Sequence, residues 1–162
     1  MKLQTRDIVI IGMMVAMIEA AKLSLAAIPN VELVSFLIIL FTLFFGPKIL
    51  YAIGAFVLIE GILYGFGIWW IMYLYAWPLL ALVTWLFRKQ TSVWVFALIS
   101  GVFGLLFGAL CSIPYFVIGG WKMAFSWWIA GIPYDLIHGV SNFVVCLILF
   151  VPLRKVLGKL DK

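Results

Sequence analysis

Long uninterrupted apolar runs restrict the folds that this chain can adopt. Between Leu33 and Phe45 every residue is apolar except Ser35 and Thr42. A transmembrane β-barrel would instead alternate apolar and polar residues in segments of about ten residues, so these runs exclude a barrel. Because a helix needs about 20 mainly apolar residues to cross a bilayer, the runs predict membrane-spanning α-helices.

The length of the chain limits how many such helices it can hold. Its 162 residues are 67% hydrophobic and 10% charged, whereas about 25% of a soluble domain is charged. At roughly 20 residues for each span, six helices fit and eight barely would. Because no linker or separate polar segment interrupts the pattern, residues 1–162 are expected to form one domain. The predicted fold is all-α, an integral membrane bundle of six transmembrane helices.

Turn signals rich in Gly and Pro separate the six predicted helices. The first five are predicted over residues 7–28, 31–45, 49–64, 70–87 and 93–117, and the sixth lies between residues 126 and 153. Pro133 suits the first turn of a helix, so the regular part of the sixth helix could begin there. Residues 121–130 would then form a short segment across the outer mouth of the bundle. The alternative is one long helix kinked at Pro133.

The distribution of basic residues predicts the orientation, because cytoplasmic loops carry an excess of Lys and Arg. With the N-terminus inside, only Lys22 and Lys122 of the eleven basic residues fall toward the outside. Both termini are therefore predicted to be cytoplasmic. The short basic clusters form no face that could follow phosphates, which excludes a nucleic-acid partner. The nine predicted cytoplasmic residues are Lys2, Arg6, Lys48, Arg88, Lys89, Arg154, Lys155, Lys159 and Lys162.

Polar residues inside predicted spans are candidates for function, because burying them in a bilayer is costly unless they are paired or line a cavity. Asp135, His138 and Asn142 fall within about 60° of one another on one helical face. Lys22 lies at a height where it could pair with Glu60 or Asp135, although Glu19 is also only three residues away. We predict that Lys22, Glu60 and the three residues of the sixth helix bind a substrate. The alternative is that the sixth-helix residues satisfy one another and hold helices together.

Aromatic residues concentrate on the predicted outer side, where they suggest an aromatic mouth for a ligand. Five of the eight tryptophans map to this side, which is more than interface anchoring requires. Under the alternative interpretation, some of these aromatic residues face lipid and the polar rim residues are simply solvated. The predicted ligand contacts in this group are Asn30, Glu32, Tyr64, Tyr73, Trp77, Trp127 and Tyr134.

Small residues recur every four positions on the first helix, at Gly12, Ala16 and Ala20. Such a stripe lets another helix approach closely, so it is either a docking face for a partner membrane protein or packing within the bundle. A second stripe at Gly101, Gly104 and Gly108 is predicted to be internal packing.

No pattern in the chain points to an enzyme, a cofactor or a metal. Cys111 and Cys146 lack metal-ligand spacing, and Ser141 near His138 has no evident oxyanion hole. The chain also lacks a Gly-rich phosphate-binding loop with its Lys, so any ATP hydrolysis is expected in another protein.

Two stretches resemble those of a known family, the substrate-binding S-components of energy-coupling-factor (ECF) vitamin transporters. One is Pro29-Asn30-Val31-Glu32-Leu33 leading into an apolar helix that closes at Gly46-Pro47, and the other is residues 131–139 (GIPYDLIHG) followed by Ser141-Asn142-Phe143. The length, the six predicted helices and the small-residue stripe also fit. In this resemblance the alanine motif of the family maps onto Gly12, Ala16 and Ala20, with Gly replacing the first Ala.

The resemblance implies a role in uptake across a prokaryotic plasma membrane. Such a subunit captures a vitamin or related micronutrient at the outer face, and a membrane scaffold subunit and two cytoplasmic ATPases drive its import. Cobalamin or a precursor, a pyrimidine and a deazapurine all suit an aromatic, hydrogen-bonding pocket. Two other classes remain open: a non-transporting membrane scaffold like the rod-shape protein MreD, and a tryptophan-rich small-molecule sensor.

Overall fold

The computed structural model describes residues 3–160, and helices account for nearly all of this range. Its six α-helices are α1 (Thr5–Ser24), α2 (Val34–Phe45), α3 (Ile49–Tyr64), α4 (Ile68–Leu86), α5 (Val93–Cys111) and α6 (Ile113–Leu160). A 3-10 turn, Gly46–Lys48, joins α2 to α3. The predicted all-α class is confirmed. Lys2 and Lys162, which entered the orientation count, lie outside the described residues.

Four segments of the described chain are long and apolar enough to cross a membrane. They are Val34–Tyr64, Ile68–Leu86, Val93–Cys111 and Ile113–Lys159. The first of these, 31 residues long, contains α2, the Gly46–Lys48 turn and α3. Apolar helices of this length are compatible with a membrane protein.

The segment between α1 and α2 is longer than the sequence predicts. α1 ends at Ser24 instead of residue 28, and Ile28 donates its N–H to the Leu25 carbonyl at 2.9 Å in a turn. Pro29 disfavours helical backbone at Ile28, the residue before it, and α1 ends four residues before Ile28. α2 begins at Val34, where Glu32 Oε2 accepts the Ser35 N–H at 2.9 Å. α3 begins and ends where predicted.

The chain between α5 and α6 corrects two of the predicted boundaries. α5 ends at Cys111, six residues before the predicted end at residue 117, and α6 begins at Ile113. Within α6, the residue with non-helical backbone is Gly120 (φ 71°, ψ −170°), a conformation that glycine adopts without steric cost. Gly120 therefore divides α6 into two helical parts, residues 113–119 and 121–160, and the second part continues through Pro133. The prediction of a separate segment over residues 121–130 is therefore wrong. The alternative of one long helix is correct in that these residues and those after Pro133 belong to the same helix.

The pairing of α5 with α6 depends on glycine. A Cβ atom added to Gly104 would lie 2.8 Å from the Gly139 Cα, and one added to Gly101 would lie 3.0 Å from the Phe143 Cβ. Neither contact leaves room for a side chain, so the α5 glycines let two backbones touch. This confirms the predicted internal packing of that stripe. Farther along the pair, Phe96 stacks on Phe150 with ring centroids 4.9 Å apart.

Candidate functional site

A buried ion pair joins α1 to α3 near the ends of both helices. Lys22 Nζ donates to Glu60 Oε2, and the Glu60 side chain is 1% exposed. The same ammonium lies 4.9 Å from the Tyr64 ring centroid and 5.7 Å from that of Tyr73, within the range of cation–π attraction. Of the partners that the sequence allows for Lys22, the structure places Glu60 in contact.

A second ionisable pair lies at the same end of the bundle. His138 Nε2 is 3.2 Å from Glu32 Oε1. Burial raises the pKa of the Glu32 carboxyl, but hydrogen bonds from His138 and Ser35 outweigh this effect and hold the pKa below its ordinary value. Glu32 is therefore an anion, anchored to α6 on one side and to the first turn of α2 on the other.

A row of five aromatic rings connects these two pairs. Successive ring centroids are 6.2 Å apart from Phe56 to Tyr73, 5.3 Å from Tyr73 to Trp77, 5.7 Å from Trp77 to Phe107 and 5.1 Å from Phe107 to His138. We call this row the aromatic ladder. Its rings come from α3, α4, α5 and α6, so the ladder crosses the bundle from one ionic pair to the other.

The middle ring of the ladder carries a hydrogen-bond donor without an acceptor. Trp77 is 3% exposed, and its indole Nε1 has no partner among the described residues. The neighbouring Trp70, by contrast, donates its Nε1 to the Val57 carbonyl at 2.8 Å. A buried polar group without a partner costs about 1–3 kcal/mol. The Trp77 indole therefore has more to gain from a ligand acceptor than any paired group.

Asn30, Ser141 and Asn142 fix the loop before α2 against α6. Ser141 Oγ donates to the Asn30 carbonyl at 2.9 Å, and Asn142 Nδ2 donates to Ser35 Oγ at 3.2 Å. Asn30 has a φ of 59°, in the left-handed region that Asn tolerates better than most residues. These contacts hold Glu32 beside His138.

Asp135 lies in a different environment from the other two polar residues of its helical face. All three are buried, as their spacing predicts, at 7% exposure for Asp135, 5% for His138 and 1% for Asn142. Asp135 Oδ1, however, accepts the backbone N–H of Gly108 on α5 at 2.9 Å. Asp135 therefore joins α5 to α6, whereas His138 ends the aromatic ladder.

Two of the predicted ligand contacts lie apart from the ladder. Trp127 stacks on Tyr115 with ring centroids 4.9 Å apart, on the other side of the non-helical residue Gly120. The Tyr134 side chain is 57% exposed on the outside of α6. Conversely, the ladder includes Phe56 and Phe107, which the sequence did not single out. Nothing in the sequence separates these two from the other twelve of its 14 phenylalanines.

The small-residue stripe of α1 faces away from the bundle. Gly12, Ala16 and Ala20 are all exposed, and a Cβ atom added to Gly12 would meet nothing within 4 Å. The rest of the described chain therefore leaves this face uncovered.

Among residues 3–160, no group of three or more His, Cys, Asp or Glu side chains could hold a metal ion. The chain matches no protein-family model, no curated protein and no solved structure. Its function is therefore inferred from the ladder, the two ion pairs and the exposed stripe.

Proposed function

We propose that this protein is the membrane-embedded binding subunit, or S-component, of an ECF-type importer. The observation that carries the proposal is the aromatic ladder, which joins two ionisable pairs and holds the unpartnered Trp77 donor at its centre. Aromatic surface with a few convergent polar groups is typical of small-molecule sites. In this proposal all six helices cross a prokaryotic plasma membrane, both termini are cytoplasmic, and the ladder lies in the outer half.

The chemistry of the ladder favours a planar ligand with both hydrogen-bond donors and acceptors. The Tyr73 ring offers stacking surface, the Trp77 indole offers a donor, and the Glu32 carboxylate offers an acceptor. A vitamin or related micronutrient with a heterocyclic ring has these properties. Lys22 and Glu60 at the other end of the ladder are available to charged substituents of such a ligand.

The exposed stripe on α1 supports a separate membrane partner. Small side chains at Gly12, Ala16 and Ala20 allow a second helix to approach the α1 backbone closely. We propose that a scaffold subunit of the transporter docks on this stripe and that two cytoplasmic ATPases supply the energy. The chain itself then acts without a cofactor and performs no catalysis.

Mass spectrometry of the purified protein tests the binding role directly. A small heterocyclic compound that co-purifies with the protein and rebinds after removal supports the proposal, with nanomolar to micromolar affinity expected in detergent. Ala16→Trp tests the docking role, because the bulky ring should block the partner helix and abolish uptake while leaving that affinity unchanged.

Two outcomes would contradict the proposal. A protein that retains no small molecule and binds none of the candidate nutrients is not a binding subunit, and a scaffold like MreD then becomes the better interpretation. If Ala16→Trp lowers ligand affinity but leaves the uptake per bound ligand unchanged, the partner docks on a different face.

A further inference from the structure

A cavity lies at the opposite end of the bundle from the aromatic ladder. It has a volume of about 480 Å³, within the range of about 300–1,000 Å³ that ligand pockets occupy. The start of α1, the end of α2, the Gly46–Lys48 turn and the end of α6 form its walls. None of the ladder residues lines it.

The polar part of this cavity carries a net positive charge. Lys48 Nζ donates to Asp7 Oδ1 at 2.5 Å, and Asp7 Oδ2 accepts the Gln4 N–H at 3.0 Å. This pair is neutral as a unit. Arg6 also lines the cavity, and it forms no ion pair with any other residue between 3 and 160. Counting residues 3–160, one positive charge is therefore left over to attract an anion.

The rest of the α1 wall is an apolar row that starts at that charge. Arg6, Ile10, Met13 and Met17 follow one another at spacings of four, three and four residues, which puts them on one helical face, and all four line the cavity. From Arg6 to Met17 the row rises about 16 Å at 1.5 Å per residue. A single leaflet of a hydrocarbon core about 30 Å thick has nearly the same depth.

The apolar row is also accessible from the side of the bundle. Met13 is 58% exposed and Met17 is 40% exposed, so the cavity opens toward the space that lipid chains would occupy. Methionine side chains are flexible and adapt to irregular apolar partners. A flexible acyl chain is the kind of partner that such a row accommodates.

We propose that this cavity binds one anionic phospholipid. Its phosphate lies against Arg6 and the Lys48 ammonium, and an acyl chain follows Ile10, Met13 and Met17. The surplus charge selects an anionic headgroup over a zwitterionic one, as basic pockets between membrane helices do. The length of the apolar row selects a lipid over a free anion. The site is independent of the ligand bound at the aromatic ladder.

Native mass spectrometry of the purified protein in detergent tests this site. Phosphatidylglycerol and phosphatidylcholine are titrated separately, and glycerol phosphate is added as a soluble headgroup without chains. We expect tighter binding of one phosphatidylglycerol than of phosphatidylcholine and no displacement by glycerol phosphate. Arg6→Gln should weaken phosphatidylglycerol binding about tenfold, because it removes a charge-assisted contact with the phosphate.

A matched control and a second variant separate the site from general surface charge. Arg88→Gln removes a cation whose guanidinium lies 4.3 Å from the Trp85 ring, outside the cavity, and it should leave the affinity unchanged. Met13→Trp keeps every charge but narrows the cavity, and it should weaken binding as Arg6→Gln does. The proposal is overturned if Arg6→Gln and Arg88→Gln have equal effects, if Met13→Trp binds like the wild type, or if phosphatidylcholine or glycerol phosphate binds equally well.

Discussion

Replacing Trp77 with Phe separates a ligand-binding role of the indole from a packing role. The substitution removes the Nε1 donor and part of the ring, and it keeps an aromatic group in the ladder between Tyr73 and Phe107. In the ligand-free protein the buried Nε1 has no partner, so its removal relieves a cost of about 1–3 kcal/mol. That relief offsets the weaker apolar packing of the smaller ring.

Trp70→Phe is the matched control, because it makes the same change on the same helix. Trp70 donates to the Val57 carbonyl at 2.8 Å, so this variant loses a hydrogen bond that contributes about 0.5–1.5 kcal/mol. In thermal or denaturant unfolding without ligand, Trp77→Phe should therefore be the more stable of the two variants, by about 1–3 kcal/mol.

Ligand affinity should change in the opposite order. If the ligand accepts a hydrogen bond from Trp77 Nε1, binding gives the buried donor a partner in the wild type but not in Trp77→Phe. The Kd of the variant, measured by calorimetry, should therefore be about tenfold to hundredfold higher. Trp70→Phe should leave the Kd nearly unchanged. The reasoning is refuted if Trp77→Phe unfolds as easily as Trp70→Phe and still binds the ligand with wild-type affinity.

Three further predictions concern other parts of the bundle. Lys22→Met should destabilise the protein by about 3–5 kcal/mol, because it leaves the buried Glu60 carboxylate unpaired. Glu60→Gln should cost less, because the Lys22 side chain is 29% exposed and can be solvated. Equal losses of the free energy of unfolding would contradict this. Gly104→Ala should cost about 1–3 kcal/mol through overpacking, whereas Gly12→Ala should be neutral or stabilising, and the reverse order of melting temperatures would be evidence against the α5–α6 contact. The Glu32 carboxyl has a folded-state pKa below its ordinary value of 4.5, so its stabilising effect is complete above pH 4.5 and disappears as the pH falls through the folded-state pKa. The stability advantage of the wild type over Glu32→Gln should shrink as the pH is lowered below 4.5, and an advantage that instead grows on acidification would count against the contact with His138.

The sequence predicts the helices well where local chemistry decides their ends. α3 runs over the predicted residues because Gly46-Pro47 precedes it and Gly65 follows it with a φ of 90°. The prediction failed at Pro133, where a proline that suits a helix start lies inside α6 instead. Local preference is a weak determinant there, because the contacts between α5 and α6 favour a continuous helix.

The polar part of the site was predictable to the level of residue type, but not its pairing. Cost arguments identified Lys22, Glu60 and His138, since each needs a partner in an apolar setting. They could not show that Asp135 accepts a hydrogen bond from the Gly108 N–H, because every residue except proline carries the same backbone donor. The ladder depends on which rings face one another across four helices, and that arrangement follows only from tertiary packing.

The two ion pairs of α1 also have a mechanical consequence. Asp7 binds Lys48 at the start of α3, and Lys22 binds Glu60 near its end. The two attachment points on α1 are 15 residues apart, or about 22 Å along the helix. Fastened at both ends, α1 can neither slide nor rotate against α3 without breaking a charge contact. A force applied to α1 is therefore passed to α3, the helix that carries Phe56, the first ring of the ladder.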